Sequence, residues 1–171
     1  MSTAIVPPFR VERLAGHNRK AFASGEERID TWFATLASQH LARGLAVDQV
    51  LIDQQTDAIA GLYSLSNYAV RATALPDLGI KRLPQNILLS MHLLGYMGVD
   101  RRYQGKGIGR MLVSHALKSA AAQTDTSGSL GVVVQAFVER LVHWYEALGF
   151  VAFPEQPLQL VMPMPRIRTL P

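Results

Sequence analysis

Apolar positions along this chain follow two rhythms. After Ser24-Gly25-Glu26-Glu27, the residues Ile29, Trp32, Phe33, Leu36 and Leu41 recur at helical spacing, and Gly44 supplies a stop. A serine followed three residues later by glutamate reads as a capping box. Together these predict one amphipathic helix of about four to five turns. Residues 46–52 and 58–70 are rich in branched and aromatic side chains and predict two strands joined by a polar turn at 54–57. Pro76, Gly79 and Pro84 punctuate a loop. The apolar run "ILLSMHLLGYMGV" at 87–99 predicts a central strand, and 107–122 a helix that begins inside a glycine-rich segment. A small-residue loop at 124–129 precedes "LGVVVQAF", a compact buried strand. Residues 139–147 predict a short helix ending at Gly149, and "FVAF" and "LQLVMPM" the closing strands. Strands mixed with helices in this order imply an α/β (α+β) fold, a mixed central sheet with helices on both faces. With no repeat, low-complexity tract or second domain in view, 1–171 reads as a single domain.

Composition narrows the chemistry. The 171 residues, 49% of them hydrophobic, suffice for a real core without staples. The absence of cysteine removes disulfides and thiolate metal sites from consideration. The five histidines (His17, His40, His92, His115 and His143) lack HExxH-type spacing and read as packing or surface residues, so no metal site is expected. No apolar run is long enough for a membrane span and the N-terminus carries no signal pattern, which points to a soluble, cytoplasmic protein without a membrane partner. Lys and Arg number 17 against 13 Asp and Glu, a formal charge of +4 that favours an anionic partner, either a phosphorylated cofactor or a nucleic acid.

The segment "YQGKGIGRML" at 103–112 carries the sharpest signal. Gly105, Gly107 and Gly109 give up side chains where a helix begins, and each makes the ordered state harder to hold. A helix start offers unpaired N–H groups and the positive end of its dipole, and glycines let phosphate oxygens approach them. Arg101, Arg102, Lys106 and Arg110 add charge around it. Neither the Walker pattern nor GxGxxG fits, because Lys106 precedes Gly107 and the spacing is GxGxG.

Gln104-Gly105-Lys106-Gly107-Ile108-Gly109 does resemble the Gln/Arg-x-x-Gly-x-Gly/Ala motif of the GNAT acetyltransferases. "RLVHWYEALGF" at 140–150 resembles that family's late helix. The resemblance implies the GNAT acyl-CoA N-acyltransferase fold and acetyl-CoA as acetyl donor. Gln104, Gly105, Lys106, Gly107, Ile108, Gly109 and Arg110 would hold its pyrophosphate, and the backbone of Met97, Gly98 and Val99 its pantetheine arm. Tyr145 would protonate the departing thiolate, since a phenol near pKa 10 can serve a thiol near 8.5 when the two touch.

A narrower likeness covers residues 15–165. "KAFASGEERIDTWFATLASQHLARG", "KRLP", "GVDRRYQGKGIGRMLV" and "LQLVMPM" are similar to the TacT/AtaT-type toxins within the GNAT family, with Phe22, Gly25 and Gln39-His40 as equivalents of their N-terminal features. That implies acetylation of the α-amino group of aminoacyl-tRNA, a ribbon-helix-helix antitoxin and a homodimer. Arg43, Lys81, Arg82, Arg101 and Arg102 are the candidate tRNA contacts. An α-amino group near pKa 8 keeps a neutral fraction at pH 7, so no strong base is required. Tyr96 stands where these toxins usually carry a basic residue, and Gly98 where alanine is usual. Two other readings are a GNAT acting on a small amine or protein N-terminus, and a non-catalytic acyl-CoA sensor.

Overall fold

A computed structural model describes residues 8–171. The chain groups into two compact units. One comprises the chain up to Ser66, with Gly95–Ala116 and Pro171; the other comprises Asn67–Leu94 and Leu117–Leu170. The strands hydrogen-bond in the order β1-β2-β3-β4-β5-β7-β6.

In the first unit, β1 (Phe9–Arg13), β2 (Val47–Asp53) and the start of β3 (Ala58–Arg71) form an antiparallel ladder with Val11↔Leu51 and Val50↔Leu62. β1 has no counterpart in the sequence reading; its five residues "FRVER" are too short and too charged to stand out. The alternation along β3 puts a helix on each face here. Leu62 packs with Trp32 and Phe33 of α1 (Glu27–Thr35), while Gly61 and Tyr63 turn to α3 (Ile108–Thr124). An added Cβ at Gly61 would lie 2.8 Å from Leu112 Cδ1, so α3 packs close to the strand.

The long first helix expected from the spacing is in fact two, α1 and α2 (Ala37–Ala42), broken at Leu36, which is 42% exposed. A straight helix would hold residues 32 and 40 about 12 Å apart along its axis. The bend instead brings His40 Nδ1 within 3.2 Å of Trp32 Nε1–H and buries Ala37. The capping box also differs. Glu27 does not cap; Asp30 reaches back and accepts from the Ser24 amide (2.9 Å), the Ser24 hydroxyl (2.7 Å) and the Gly25 amide (3.2 Å). Gly25, at φ +92°, turns the chain so that one carboxylate can serve all three.

The second unit holds the end of β3, most of β4 (Leu88–Val99), β5 (Gly131–Gln135), α4 (Glu139–Leu148), β6 (Val151–Ala152), β7 (Gln159–Pro163) and α5 (Met164–Ile167). β4 pairs parallel to β5 at His92↔Val132 through Leu94↔Val134, and β7 runs antiparallel to both β5 and β6, which gives the mixed sheet expected. Val70, Met91, Val133, Phe153 and Val161 form its core. α4 ends at Gly149 with φ +105°, the left-handed stop that the sequence predicts. Among the described residues, no helix is long and apolar enough to cross a membrane.

Candidate active site

The ladder of β4 with β5 ends at Leu94, and β4 continues to Val99. Met97 and Val99 are half-buried and Gly98 is buried. A Cβ on Gly98 would meet Ile29 Cγ2 at 3.0 Å, with Ser24 and Phe22 next, so glycine stands there because the entry to α1 packs on the strand.

Past Val99 the chain is tied down at each step. Asp100 is 2% exposed; its carboxylate accepts from the amides of Ala23 (3.1 Å) and Arg102 (2.9 Å) and from the Arg102 guanidinium (2.8 and 3.2 Å). Burial alone would raise this carboxyl, but those hydrogen bonds hold it below the usual range. The Arg101 amide donates to Ala23 O at 2.9 Å. Gln104, the first letter of the motif, spends its side-chain amide on two main-chain carbonyls, Ser24 O at 2.7 Å and Val99 O at 2.9 Å. Its side chain is therefore a brace under the loop.

Gly105 and Gly107 follow with φ of +76° and +79°, conformations that favour glycine, and no atom lies within 4 Å of a Cβ added at either. The first turn of α3 comes next, with Ile108 buried as its anchor and Met111 N–H donating to Gly107 O at 3.2 Å. Lys106 and Arg110 are exposed at the rim. Open space, left-handed backbone, the positive end of a seventeen-residue helix and a lysine make a seat whose chemistry fits a diphosphate.

Tyr145 lies in the other unit, on α4, 6% exposed and edge-on to Trp144 and Phe150. Burial pushes its phenol up to about 12, with no charged or hydrogen-bonding neighbour contributing. It stays protonated at any working pH, which suits a proton donor and excludes a base. The five histidines (His17, His40, His92, His115 and His143) each have a polar or aromatic neighbour. They sit against Glu12, Trp32, Ser129, Tyr63 and Glu146 respectively, and no metal-binding cluster occurs among the described residues. Of the candidate tRNA contacts, Arg101 and Arg102 flank the glycine segment and Arg43 ends α2, all in the first unit; Lys81 and Arg82 belong to the second. All five are exposed. The Arg101 guanidinium rests against Gly25, and that of Arg102 is held by Asp100.

Residues 50–152 match the family model described as an acetyltransferase (GNAT) domain. The chain belongs to the GNAT acetyltransferase family. This GNAT acetyltransferase is 26% identical over 162 residues to the probable toxin TacT of Sinorhizobium fredii, an alignment covering 90% of this chain and 89% of that one. It is 25% identical over 151 residues to the tRNA-acetylating toxin of Mycobacterium tuberculosis, covering 88% of each. Its fold superposes on AtaT complexed with acetyl-methionyl-tRNAfMet with a TM-score of 0.86 at 24% identity, over 94% of this chain and 97% of that one. It also superposes on an AtaT mutant bound to acetyl-CoA and to the C-terminus of the antitoxin AtaR, at a TM-score of 0.80 and 22% identity, covering 94% and 96%.

Several residues that build this acetyltransferase's glycine loop were not singled out from the sequence: Asp100, Asp30, and the pair Asp53–Tyr103. Asp100 had a weak signal, an acid closing an apolar strand just before two arginines. Asp53 had none, because its partner lies 50 positions away.

Proposed function

We propose that this GNAT acetyltransferase works as one domain over 1–171 and moves the acetyl group of acetyl-CoA to the α-amino group of aminoacyl-tRNA, as a translation-blocking toxin. The observation that carries the reading is likeness along nearly the whole chain to a tRNA-acetylating toxin and a probable toxin. The net charge of +4 and the exposed Arg43, Lys81, Arg82, Arg101 and Arg102 support a polyanionic acceptor. In this reading Gly105, Gly107 and the first turn of α3 hold the pyrophosphate, with Lys106 and Arg110 at its rim. The backbone of Met97, Gly98 and Val99 pairs with the pantetheine arm. Bound acetyl-CoA supplies an activated acyl thioester. Tyr145 donates a hydrogen bond, and then its proton, to the leaving sulfur. A phenol at 12 is a weaker acid than a thiol near 8.5 by about 3.5 units, or about 5 kcal/mol. Full transfer therefore needs the acceptor's ammonium proton to replace the one Tyr145 gives. A ribbon-helix-helix antitoxin, a homodimer and a cytoplasmic location complete the reading, supported by likeness to the toxin family.

The test is transfer of labelled acetyl from acetyl-CoA to bulk tRNA, aminoacylated in one tube and deacylated in the other. Label should appear only on charged tRNA and fall by at least about a hundredfold with Tyr145→Phe, the usual scale for losing a general acid. No label on either, with acetyl-CoA still bound, would redirect the search to small amines and protein N-termini.

A further inference from the structure

Tyr103 sits at the end of the 3-10 turn Arg101–Tyr103, directly before the glycine segment. Its hydroxyl donates to Asp53 Oδ2 at 2.6 Å and lies 3.3 Å from Thr56 Oγ1, across the turn that joins β2 to β3. Asp53 is a fixed anchor. It is 6% exposed and sits on the ladder opposite both Phe9 and Ala58. Its other carboxylate oxygen accepts from the Gln55 amide at 2.9 Å, and its carbonyl from the Asp57 amide at 2.8 Å. The Tyr103 bond is the main reason that this carboxyl stays below its usual range. A loop residue is thus bolted to a rigid corner of the sheet.

The ring of Tyr103 carries two cations, Arg102 Cζ at 5.7 Å and Lys106 Nζ at 5.6 Å from its centroid, with the Phe9 ring set edge-on at 5.9 Å. Arg102 is committed to Asp100. Lys106 is exposed and has four rotatable bonds to order before it can meet an anion. Resting on a ring whose hydroxyl is tied to Asp53 removes much of that ordering in advance.

We propose that Tyr103, anchored by Asp53, is a positioning residue that holds Lys106 ready for the pyrophosphate of acetyl-CoA. The assignment rests on the cofactor reading above, and the experiment separates the two. Acetyl-CoA affinity is measured by calorimetry for the wild type, Tyr103→Leu, Tyr103→Phe, Lys106→Gln and the Tyr103→Leu/Lys106→Gln double variant. A cation–π contact at an exposed site is worth about 0.5–1 kcal/mol, so Tyr103→Leu should weaken binding about two- to fivefold and raise KM while kcat at saturation holds. In the Lys106→Gln background the same change should do nothing further. Tyr103→Phe keeps the ring and guards against a folding defect; it should raise the titration midpoint of the Asp53 carboxyl followed by NMR. Unchanged affinity in Tyr103→Leu, an effect that persists without Lys106, or an Asp53 titration unmoved by Tyr103→Phe would each overturn the proposal and leave the cofactor reading intact. A wild type that does not bind acetyl-CoA would overturn both.

Discussion

Two glycines of the motif show what a side chain would cost. Gly105 and Gly107 face open space, so no steric clash explains them; their positive φ does, and the proposed seat for an anion uses the space. Gly107→Glu would force a strained backbone and place a carboxylate beside the positive end of α3, where the proposed function seats the phosphate oxygens. Acetyl-CoA binding should fall below detection by calorimetry, while the melting temperature drops by only a few degrees. Retained affinity in that variant would remove the glycine segment from the cofactor site.

Glycine at an element's closest approach acts differently. Gly131, the first residue of β5, would carry a Cβ only 2.3 Å from Met162 O and 3.0 Å from Pro163 Cα. Both are main-chain atoms in the β5–β7 ladder, which cannot swing aside as a side chain would. Gly131→Ala should therefore destabilise by about 3 kcal/mol or more, seen as a lower midpoint in urea. Nothing in the sequence distinguished Gly131 from the other glycines, since the clash is set by a partner strand some thirty residues on. The same division runs through the elements. The branched and aromatic runs, the long strand ending at Val99 and the helix behind Gly107 were legible because their signals are local. The break at Leu36 was not, because the force that makes it is the indole of Trp32 meeting His40, a tertiary contact. Nor was the Asp30 cap, because Ser24 with Glu27 satisfied the sequence pattern while geometry preferred a carboxylate one turn further in. In the candidate site, the glycines and Tyr145 were legible as motif letters, whereas the Asp100 and Asp53 ties join residues far apart in the chain.

The stability of the whole fold carries the mark of one buried acid. Asp48 is 1% exposed, and neither carboxylate oxygen meets a donor in hydrogen-bonding geometry. Burial raises it to about 6; Ser64 across the ladder and the more distant His40, Arg13 and Arg19 pull it down without offsetting that. The folded chain thus takes up this proton more readily than the unfolded chain. Well below pH 3.8 Asp48 is neutral in both states and costs nothing by ionising. As pH rises from 4 through 6 the penalty grows, to about 3 kcal/mol at neutral pH for a shift of some two units. Asp48→Asn should raise the melting temperature by about 5–10 °C at pH 7.5 and leave it nearly unchanged at pH 4. An equal gain at both values would locate the effect in packing instead of charge.

Gln104 gives the motif a different grammar. Its amide nitrogen serves two carbonyl oxygens, of Ser24 and Val99. The alternation of glutamine with arginine at this place in the GNAT pattern then reads as a count of N–H donors. Either side chain can close two main-chain acceptors into one joint, and glutamate, nearly the same shape, would set oxygen against oxygen there. At this letter of the motif the side chain closes the protein's own backbone.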